Sequence, residues 1–271
     1  MTVLNTAVVT GQLRAAGCVF AEDEARLLLA AAGSHAELRD LIARRVAGTP
    51  LEYLLGWVDF RGLQVAVRDG VFVPRQRSAF LVDEAAAFAD RHPVRTVLDL
   101  CCGSGALSLA LATELASCGH RVQVIAADID PVAVACARDN LATLGGRVHQ
   151  GDLFDALPRD LRGTIDVLLA NTPYVPTQMI ARMPPEAREH EPAQALDGGP
   201  DGLDLARRTA ARAADWLAPG GGLFIEIGTG QIDDATALLT AAGLTARIAH
   251  CPDREATVAI GTRRPATISD R

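Results

Sequence analysis

Apolar positions in the first part of the chain recur at helical spacing, with glycines between the segments. This pattern predicts three helices, over Thr6 to Ala16, Glu22 to Ala32 and Ala36 to Ala47. From Trp57 to Val73 the apolar period changes to two on either side of Arg61-Gly62, which predicts a β-hairpin. We therefore expect a small helical lobe over residues 1–56 that docks a substrate, followed by a hairpin connector over residues 57–73.

From about Pro93 onward, short apolar runs alternate with helical patterns. The predicted strands are Thr96 to Leu100, Val122 to Ala127, Arg147 to Gln150, Asp166 to Ala170, Gly222 to Ile227, Ala246 to His250 and Thr257 to Gly261. The predicted helices are Gly105 to Ser117, Pro131 to Leu144, Asp201 to Leu217 and Gln231 to Ala242. This alternation is typical of an α/β domain, so we expect residues 74–271 to form a Rossmann-like parallel sheet of seven strands with helices on both faces.

Composition narrows the class of protein. The chain has 271 residues, of which 49% are apolar and 22% charged, and it has no long uncharged apolar run and no signal-peptide pattern at its start. We expect a cytoplasmic protein without a membrane partner. A net charge of −7 also argues against a large nucleic-acid-binding face, so no direct nucleic-acid partner is expected.

Cysteine and histidine spacing predicts no metal site. The six cysteines lack paired CxxC spacing, which favours reduced thiols that pack as small apolar side chains. His190 is flanked by Glu189 and Glu191, but no second His or Cys lies at ligand spacing. A solvated or anchoring role is the better interpretation of this histidine.

A glycine-rich turn follows the first predicted strand of the sheet. Such a turn lets the backbone approach a nucleotide-like ligand closely and opens the next helix. Cys101 stands where a dinucleotide-binding fingerprint would have its first glycine, which weakens a pyrophosphate interpretation. The candidate cofactor contacts here are Asp99, Cys101, Cys102, Gly103, Ser104 and Gly105.

Acidic residues end the next two strands. Asp128 and Ile129 lie about 20 residues beyond the turn, where a carboxylate in doubly wound folds accepts the hydroxyls of a ribose. Asp152 is placed to read an adenine amino group, and Leu153 to line the face of the ring. A turn and an acid at this spacing would suit NAD equally well.

The tetrad Asn171-Thr172-Pro173-Tyr174 directly follows the apolar run Ile165 to Ala170. The side-chain oxygen of Asn171 and the carbonyl of Thr172 are two acceptors that can hold both N–H bonds of a planar amide or amine. Pro173 stiffens the loop, and Tyr174 offers an aromatic wall. A simple strand-to-loop turn is the alternative. Together with the upstream turn, the tetrad favours nitrogen methylation with S-adenosylmethionine as cofactor, and Asn171 then also lies beside the cofactor.

Several longer segments carry a resemblance to a known family. They are Gly48 to Gly56, Val73-Pro74-Arg75, Glu191-Pro192 and Ala195 to Leu203. With the tetrad, these segments resemble the HemK-like protein glutamine methyltransferases, which act on the Gly-Gly-Gln segment of peptide-chain release factors. The resemblance runs over nearly the whole chain.

The resemblance implies a class I methyltransferase fold, with S-adenosylmethionine bound at the 101–105 turn, Asp128 and Leu153. It implies that residues 171–174 hold the glutamine amide and that the protein partner is a release factor. The segment from Val175 to Pro200 is expected to be a long loop or short helix over the sheet edge, and hence a candidate lid.

The chain departs from the family pattern in three places. The family tetrad is Asn-Pro-Pro-Tyr, so Thr172 keeps the carbonyl acceptor but lacks the ring that fixes φ. Cys101 and Cys102 replace a glycine and a small residue. The family usually has Pro-Glu-Thr-Glu where this chain has residues 76–79, Gln-Arg-Ser-Ala, which removes a carboxylate near the site.

Three alternatives therefore stay open at this point. The chain could methylate another amide or amine nitrogen, in a protein or a small molecule. It could methylate adenine in nucleic acid, although the acidic surface counts against this. It could also bind the cofactor as a scaffold, without turnover.

Overall fold

The computed structural model describes residues 5–265; residues 1–4 and 266–271, at the ends of the first and last predicted domains, lie outside the described part. The chain begins with helices α1 (Thr6–Ala15), α2 (Ala21–Ala31), α3 (His35–Val46) and α4 (Leu51–Leu55). Asn5 accepts a hydrogen bond from the Val8 N–H at the start of α1, and Ser34 accepts one from Glu37 at the start of α3. The three predicted helices are confirmed, while the short α4 was not predicted.

The first three helices enclose a core of their own, formed by Val9, Leu13, Leu28 and Leu41 with their neighbours. An ion pair is buried beside it. Arg45 Nε donates to Glu24 Oε2 at 2.6 Å, and the two side chains are only 9% and 10% exposed.

A two-stranded antiparallel hairpin follows, formed by β1 (Trp57–Phe60) and β2 (Leu63–Ala66). Its strands end at Ala66, earlier than the period-two pattern indicated. The Tyr53 hydroxyl of α4 donates to the Val71 carbonyl at 2.7 Å. The Asn140 side chain accepts from the Ala66 N–H and donates to the Ala66 carbonyl, both at 2.9 Å. The Tyr53 bond joins α4 to the segment that follows the hairpin, and the Asn140 bonds join the hairpin to a helix later in the chain.

Helix α5 (Ala79–Ala89) was not predicted. It buries Leu81, Val82, Ala85 and Phe88, and it packs against the sheet and a neighbouring helix. Because apolar residues occupy most of its circumference, no polar stripe marks the helical period in the sequence.

Within residues 5–265, the second sheet has seven strands in the order β5-β4-β3-β6-β7-β9-β8. The strands are β3 (Thr96–Leu100), β4 (Gln123–Asp128), β5 (Arg147–Gln150), β6 (Ile165–Ala170), β7 (Leu217–Ile227), β8 (Thr245–Cys251) and β9 (Ala256–Thr262). The helices are α6 (Ala106–Ser117), α7 (Pro131–Leu141), α8 (Pro185–His190), α9 (Asp204–Trp216) and α10 (Ile232–Ala241).

The prediction of a wholly parallel sheet is wrong for its last strand. β9 is antiparallel to both β7 and β8, whereas β3 to β7 pair in parallel. The connection from β8 to β9 is a single turn at Pro252–Arg254, with Glu255 in the left-handed region at φ 49°. Such a short connection can only join antiparallel strands, because a parallel pair needs a crossover.

The central strands are apolar throughout because helices cover both faces of the sheet. Val97 of β3 faces one core, with α5 and α6, while Leu98 and Leu100 face the other, with α9 and α10. Parallel strands that are buried on both faces read as continuous apolar runs. In the part of the chain that the structure describes, no helix is both long and apolar enough to cross a membrane.

We expect Arg45→Met to destabilise the folded protein by about 3 to 5 kcal/mol, because it leaves the buried Glu24 carboxylate without its cation. Arg14 pairs with Glu22 at the surface, where the two side chains are 63% and 59% exposed, so Arg14→Met is the matched control. The control is expected to change stability by less than about 1 kcal/mol. Urea unfolding of both variants measures this difference, and equal effects would contradict it.

Candidate functional site

A cavity of about 300 Å³ opens at the carboxyl ends of the parallel strands. The loops after β3, β4, β5 and β6 form one side of it, and residues 70–78 together with the segment after Val175 form the other. The chain order reverses between β3 and β6, and ligands of open α/β sheets bind at such a point.

The turn after β3 approaches the cavity with its backbone. Cys101, Gly103 and Gly105 have positive φ values of 55°, 54° and 76°. A Cβ at Gly105 would lie 3.3 Å from the side chains of Ala137 and Leu141, so this glycine lets α6 begin tightly against α7. Of the six predicted turn residues, the four from Cys101 to Ser104 line the cavity, whereas Asp99 and Gly105 lie behind its wall.

Two polar atoms of this turn are buried without a hydrogen-bond partner among the residues described. One is the Ser104 Oγ in the cavity wall, and the other is Asp99 Oδ1. The second oxygen of Asp99 accepts from the Ser108 N–H at 3.2 Å. Complete burial raises the pKa of Asp99 to about 7. The wall beside the turn therefore has hydrogen-bonding capacity for a ligand.

Asp128 ends β4 and organises the neighbouring backbone. Its carboxylate accepts from the Gly103 N–H at 2.8 Å and from the Asp130 N–H at 3.0 Å, and burial raises its pKa. Each carboxylate oxygen has a second lone pair, so Asp128 can still accept from a ligand in the cavity. Ile129 also lines the cavity and is 56% exposed.

Asp152 and Leu153 follow β5. Leu153 is buried in the left-handed region at φ 47°, a strained conformation for a branched side chain, and it lines the cavity. Asp152 forms an ion pair at 2.6 Å with Arg208 of α9, and both line the cavity. Arg208 was not predicted, because it lies far from Asp152 in the sequence.

All four residues of the tetrad line the same cavity. Asn171 Nδ2 donates to the Ser78 Oγ at 3.5 Å, which leaves the Asn171 Oδ1 available as an acceptor. Gln231 Nε2 donates to the Tyr174 carbonyl at 3.0 Å. A side chain at Gly202, whose φ is 80°, would collide with that same carbonyl oxygen. The loop is thus closely packed from behind.

The Tyr174 side chain contacts Glu226 and Arg77, neither of which is among the site residues predicted from the sequence. Its hydroxyl donates to Glu226 Oε1 at 2.8 Å, and Arg77 lies over its ring at 5.7 Å. Burial and the neighbouring Glu226 raise the pKa of the Tyr174 hydroxyl well above its usual range. Tyr174 is therefore a neutral donor here rather than a base.

The candidate lid contains a 3-10 turn at Thr177–Arg182, then α8 and a second turn at Ala193–Ala195. The buried Glu191 accepts from the Arg75 Nη2 at 2.6 Å and from the Val73 N–H at 3.2 Å, and burial raises its pKa. Gln194 Nε2 donates to Asp130 Oδ2 at 3.0 Å. These bonds hold the segment across the cavity.

The segment 70–78 is the largest part of the site that the sequence reasoning did not assign. Phe72, Ser78 and Arg77 line the cavity from it, and Arg75 lies over the Phe72 ring at 5.0 Å. The signals for this segment in the sequence were the Val73-Pro74-Arg75 match and the departure from the family pattern at residues 76–79. Over residues 5–265, no group of three or more His, Cys, Asp or Glu side chains could hold a metal ion.

The arrangement combines two functions in one cavity. At one end are a nucleotide-type turn and an acid, and at the other are an amide oxygen and a backbone carbonyl that can accept from a planar –NH2 group. Such a cavity can bind a cofactor and a nitrogen acceptor side by side, and it can hold them in a reactive orientation.

Comparisons with known proteins agree with this description. A family model described as "Methyltransferase domain" matches residues 97–190. A protein named "Release factor glutamine methyltransferase" from Geobacter sulfurreducens is 39% identical over 210 residues, which are 77% of this chain and 71% of that protein. One of the same name from Mycolicibacterium smegmatis is 36% identical over 268 residues, 90% of each chain.

Among solved structures, the T. thermophilus 16S rRNA N2 G1207 methyltransferase in complex with AdoMet and guanosine is similar in fold. Its TM-score is 0.54 and its identity 22%, and the match covers 77% of this chain and 50% of that one. The expected Rossmann-like methyltransferase fold is therefore confirmed.

The titration of Asp99 predicts a pH dependence of stability. Its folded pKa of about 7 lies above the ordinary value of 3.8, so between these values the folded state holds a proton that the unfolded chain has released. Its contribution to the free energy of unfolding therefore falls as pH rises from about 4 to about 7, by a few kcal/mol. Relative to Asp99→Asn, the wild type should lose stability over this range in urea unfolding. A constant difference between the two proteins would contradict the assignment.

Proposed function

The chain belongs to the family of release factor glutamine methyltransferases, and from that premise we propose that it methylates a glutamine side chain of a release factor. The methyl donor is S-adenosylmethionine, and the acceptor is the amide nitrogen of the glutamine in the Gly-Gly-Gln segment. The observation that carries this proposal is the single cavity that the turn after β3 and the tetrad after β6 line together.

The residues at one end of the cavity fit the cofactor. Ser104, whose Oγ has no partner in the described chain, is among the lining residues at this end, and no atom of a non-adjacent residue lies within 4 Å of a Cβ built at Gly103, which leaves room beside the turn. Asp128 would accept from the ribose hydroxyls, Leu153 and Ile129 would line the adenine, and Asp152 would accept from its amino group. When bound, S-adenosylmethionine supplies an electrophilic methyl carbon on a sulfonium sulfur.

The tetrad would hold the acceptor. Asn171 Oδ1 and the Thr172 carbonyl accept the two N–H bonds of the glutamine amide, which raises electron density on its nitrogen and aims it at the methyl carbon. Ser78 keeps the Asn171 amide in the required orientation, because it accepts from Nδ2. Pro173 stiffens the loop, and the ring of Tyr174 forms the side wall.

No general base is needed in this proposal. Tyr174 is a neutral donor to Glu226, and a protonated N-methyl amide is acidic enough to lose its proton to water. The rate enhancement then comes mostly from orientation and polarisation of the amide nitrogen.

The proposal also assigns a role to each of three segments of the chain. Residues 1–56 would dock the release factor, residues 57–73 would connect, and residues 74–271 would bind the cofactor and carry the reaction. The separate core of the first three helices supports an independent lobe. A release factor substrate places the activity in the cytoplasm, and we expect no direct contact with nucleic acid.

Asn171→Ala is expected to lower kcat at least about 100-fold, because it removes one of the two amide acceptors. The cofactor Kd should change only a few-fold, since most cofactor contacts lie elsewhere. The measurement uses purified protein, labelled S-adenosylmethionine and release factor from the same source, with the methylated glutamine located by peptide mass spectrometry.

A release factor with Gly-Gly-Glu in place of Gly-Gly-Gln is the substrate control and should receive no methyl group. Transfer to that control, or an active Asn171→Ala variant, would disprove the assigned acceptor. Cofactor binding by the wild type without transfer to any release factor would disprove the proposed substrate.

Asp128→Asn is expected to raise the Kd for S-adenosylmethionine about 10- to 100-fold, as for the loss of hydrogen bonds to a charged group. The Asp128 carboxylate accepts hydrogen bonds from the N–H groups of Gly103 and Asp130. In the Asn variant, an NH2 group would face one of these N–H groups, and neither group can accept from the other. Asp160→Asn, which is exposed in the turn Arg159–Leu161 outside the cavity, is the control and should leave the Kd unchanged. Calorimetric titration distinguishes the two variants, and equal Kd values would refute the role of Asp128.

A further inference from the structure

Tyr174 is held from the side of β7 by a buried carboxylate and an arginine. Its hydroxyl donates to Glu226 Oε1 at 2.8 Å, and the Arg77 Nε approaches the same oxygen at 3.3 Å. The Arg77 guanidinium also lies over the Tyr174 ring. The Glu226 carboxylate thus restrains the Tyr174 hydroxyl, and the Arg77 guanidinium restrains the ring.

Thr172, two residues earlier, restrains the loop much less. It is fully buried, but its Oγ1 has no hydrogen-bond partner within residues 5–265. Nor does its N–H donate any of the backbone hydrogen bonds found in that range. It also lacks a ring that would fix φ. Within the tetrad, the side-chain hydrogen bonds to other parts of the chain are therefore those of Asn171, to Ser78, and of Tyr174, to Glu226.

We propose that Arg77 and Glu226 are positioning residues that hold Tyr174, and through it the amide-accepting tetrad, in the geometry needed for methyl transfer. The inference rests on the proposed function, because it assigns these residues to the acceptor side of that site. Neither residue touches the reacting atoms in this proposal.

This pair differs from an ordinary surface ion pair because its carboxylate is buried, although the Arg77 side chain is half exposed. Glu226 is 2% exposed, its Oε2 has no partner in the described structure, and Arg77 is the one cation paired with it there. Without Arg77, the carboxylate keeps only the Tyr174 hydroxyl, and a buried charge with so little compensation is costly. In the proposal, Glu226 responds by moving together with the Tyr174 hydroxyl that it accepts from, which misplaces the tetrad.

The position of β7 explains why such a movement would reach the acceptor. β7 pairs with β6 so that Ile225 lies opposite Ala170. Glu226 and Asn171 are the residues that come next along the chain. A displacement of Glu226 is therefore passed to the tetrad directly, with no intervening element.

The test is a double-mutant cycle that compares the wild type, Arg77→Met, Thr172→Pro and the variant with both substitutions. If Arg77 supplies the restraint that residue 172 lacks, Arg77→Met should lower kcat roughly tenfold or more in the Thr172 background. In the Thr172→Pro background the same change should cost about twofold or less, because the ring then stiffens the loop. The Kd for S-adenosylmethionine should stay unchanged in all four proteins.

Two further sets of variants provide a control for Arg77→Met and a separate test of Glu226. Arg247→Met removes a surface arginine of similar exposure, 51% against 47% for Arg77, that pairs with Glu84 outside the cavity, and it should leave kcat unchanged. Glu226→Gln keeps an oxygen that accepts from Tyr174 and should retain most of kcat, whereas Glu226→Ala should lose as much as Arg77→Met. This comparison still tests the proposal if Thr172→Pro does not fold.

A spectroscopic readout separates this proposal from the proposed function. The chain has two tyrosines, so 3-fluorotyrosine labelling gives two fluorine NMR signals, which Tyr53→Phe assigns. Arg77→Met should shift or broaden the Tyr174 signal and leave the Tyr53 signal unchanged. If the wild type fails to methylate a release factor, the proposed function fails, while this measurement still reports on the restraint of Tyr174.

The proposal is overturned if Arg77→Met leaves both kcat and the Tyr174 signal unaltered. It is also overturned if the loss of kcat is equal with and without the Thr172→Pro substitution, or if it follows a weakened cofactor Kd. Those last two results would give Arg77 a general structural role or a cofactor-binding one.

Discussion

Parallel pairing of β3 with β4 on one side and β6 on the other is the constraint on which the whole site depends. In the register of the sheet, Leu100 lies opposite both Ala127 and Ala170, so the three strands end at the same level. The turn that begins at Cys101, the carboxylate of Asp128 and the tetrad that begins at Asn171 come directly after these residues and therefore share one edge. Because both faces of these strands are buried, a register shift would expose or misplace apolar side chains. The packing of the core therefore also fixes the location of the site.

Buried carboxylates then fix the loops at that edge. Asp99, Glu191 and Glu226 are all buried, and desolvation of a carboxylate is offset only by donors that reach it. The donors to Glu191 and Glu226 come from other parts of the chain, namely Arg75 for the former and Tyr174 for the latter. Each of these two carboxylates thus ties a loop to a second element. A site assembled in this way is preorganised, which is what a reaction driven by orientation of a weak nucleophile requires.

The hairpin and helix α4 are coupled to the same edge by hydrogen bonds. Asn140 bonds both backbone groups of Ala66 in the hairpin, and its Nδ2 also donates to the Ser104 carbonyl in the cofactor turn at 2.8 Å. Tyr53 joins α4 to the segment that leads into the cavity. If the helical lobe docks the release factor, as we propose, these bonds would relate its position to that of the methyl donor.

The sequence by itself determined the seven strands, the nucleotide-type turn and the tetrad, because a local pattern of apolar and turn-forming residues predicts each of them. Only the tertiary structure decided the antiparallel direction of β9 and the existence of α5, whose mostly apolar circumference leaves no helical period in the sequence. It also decided which polar groups meet: Arg75 and Glu191 are 116 positions apart, and Ser78 and Asn171 are 93 apart. Such pairs form because the sheet brings distant loops to one edge, and no local pattern records which loops those are.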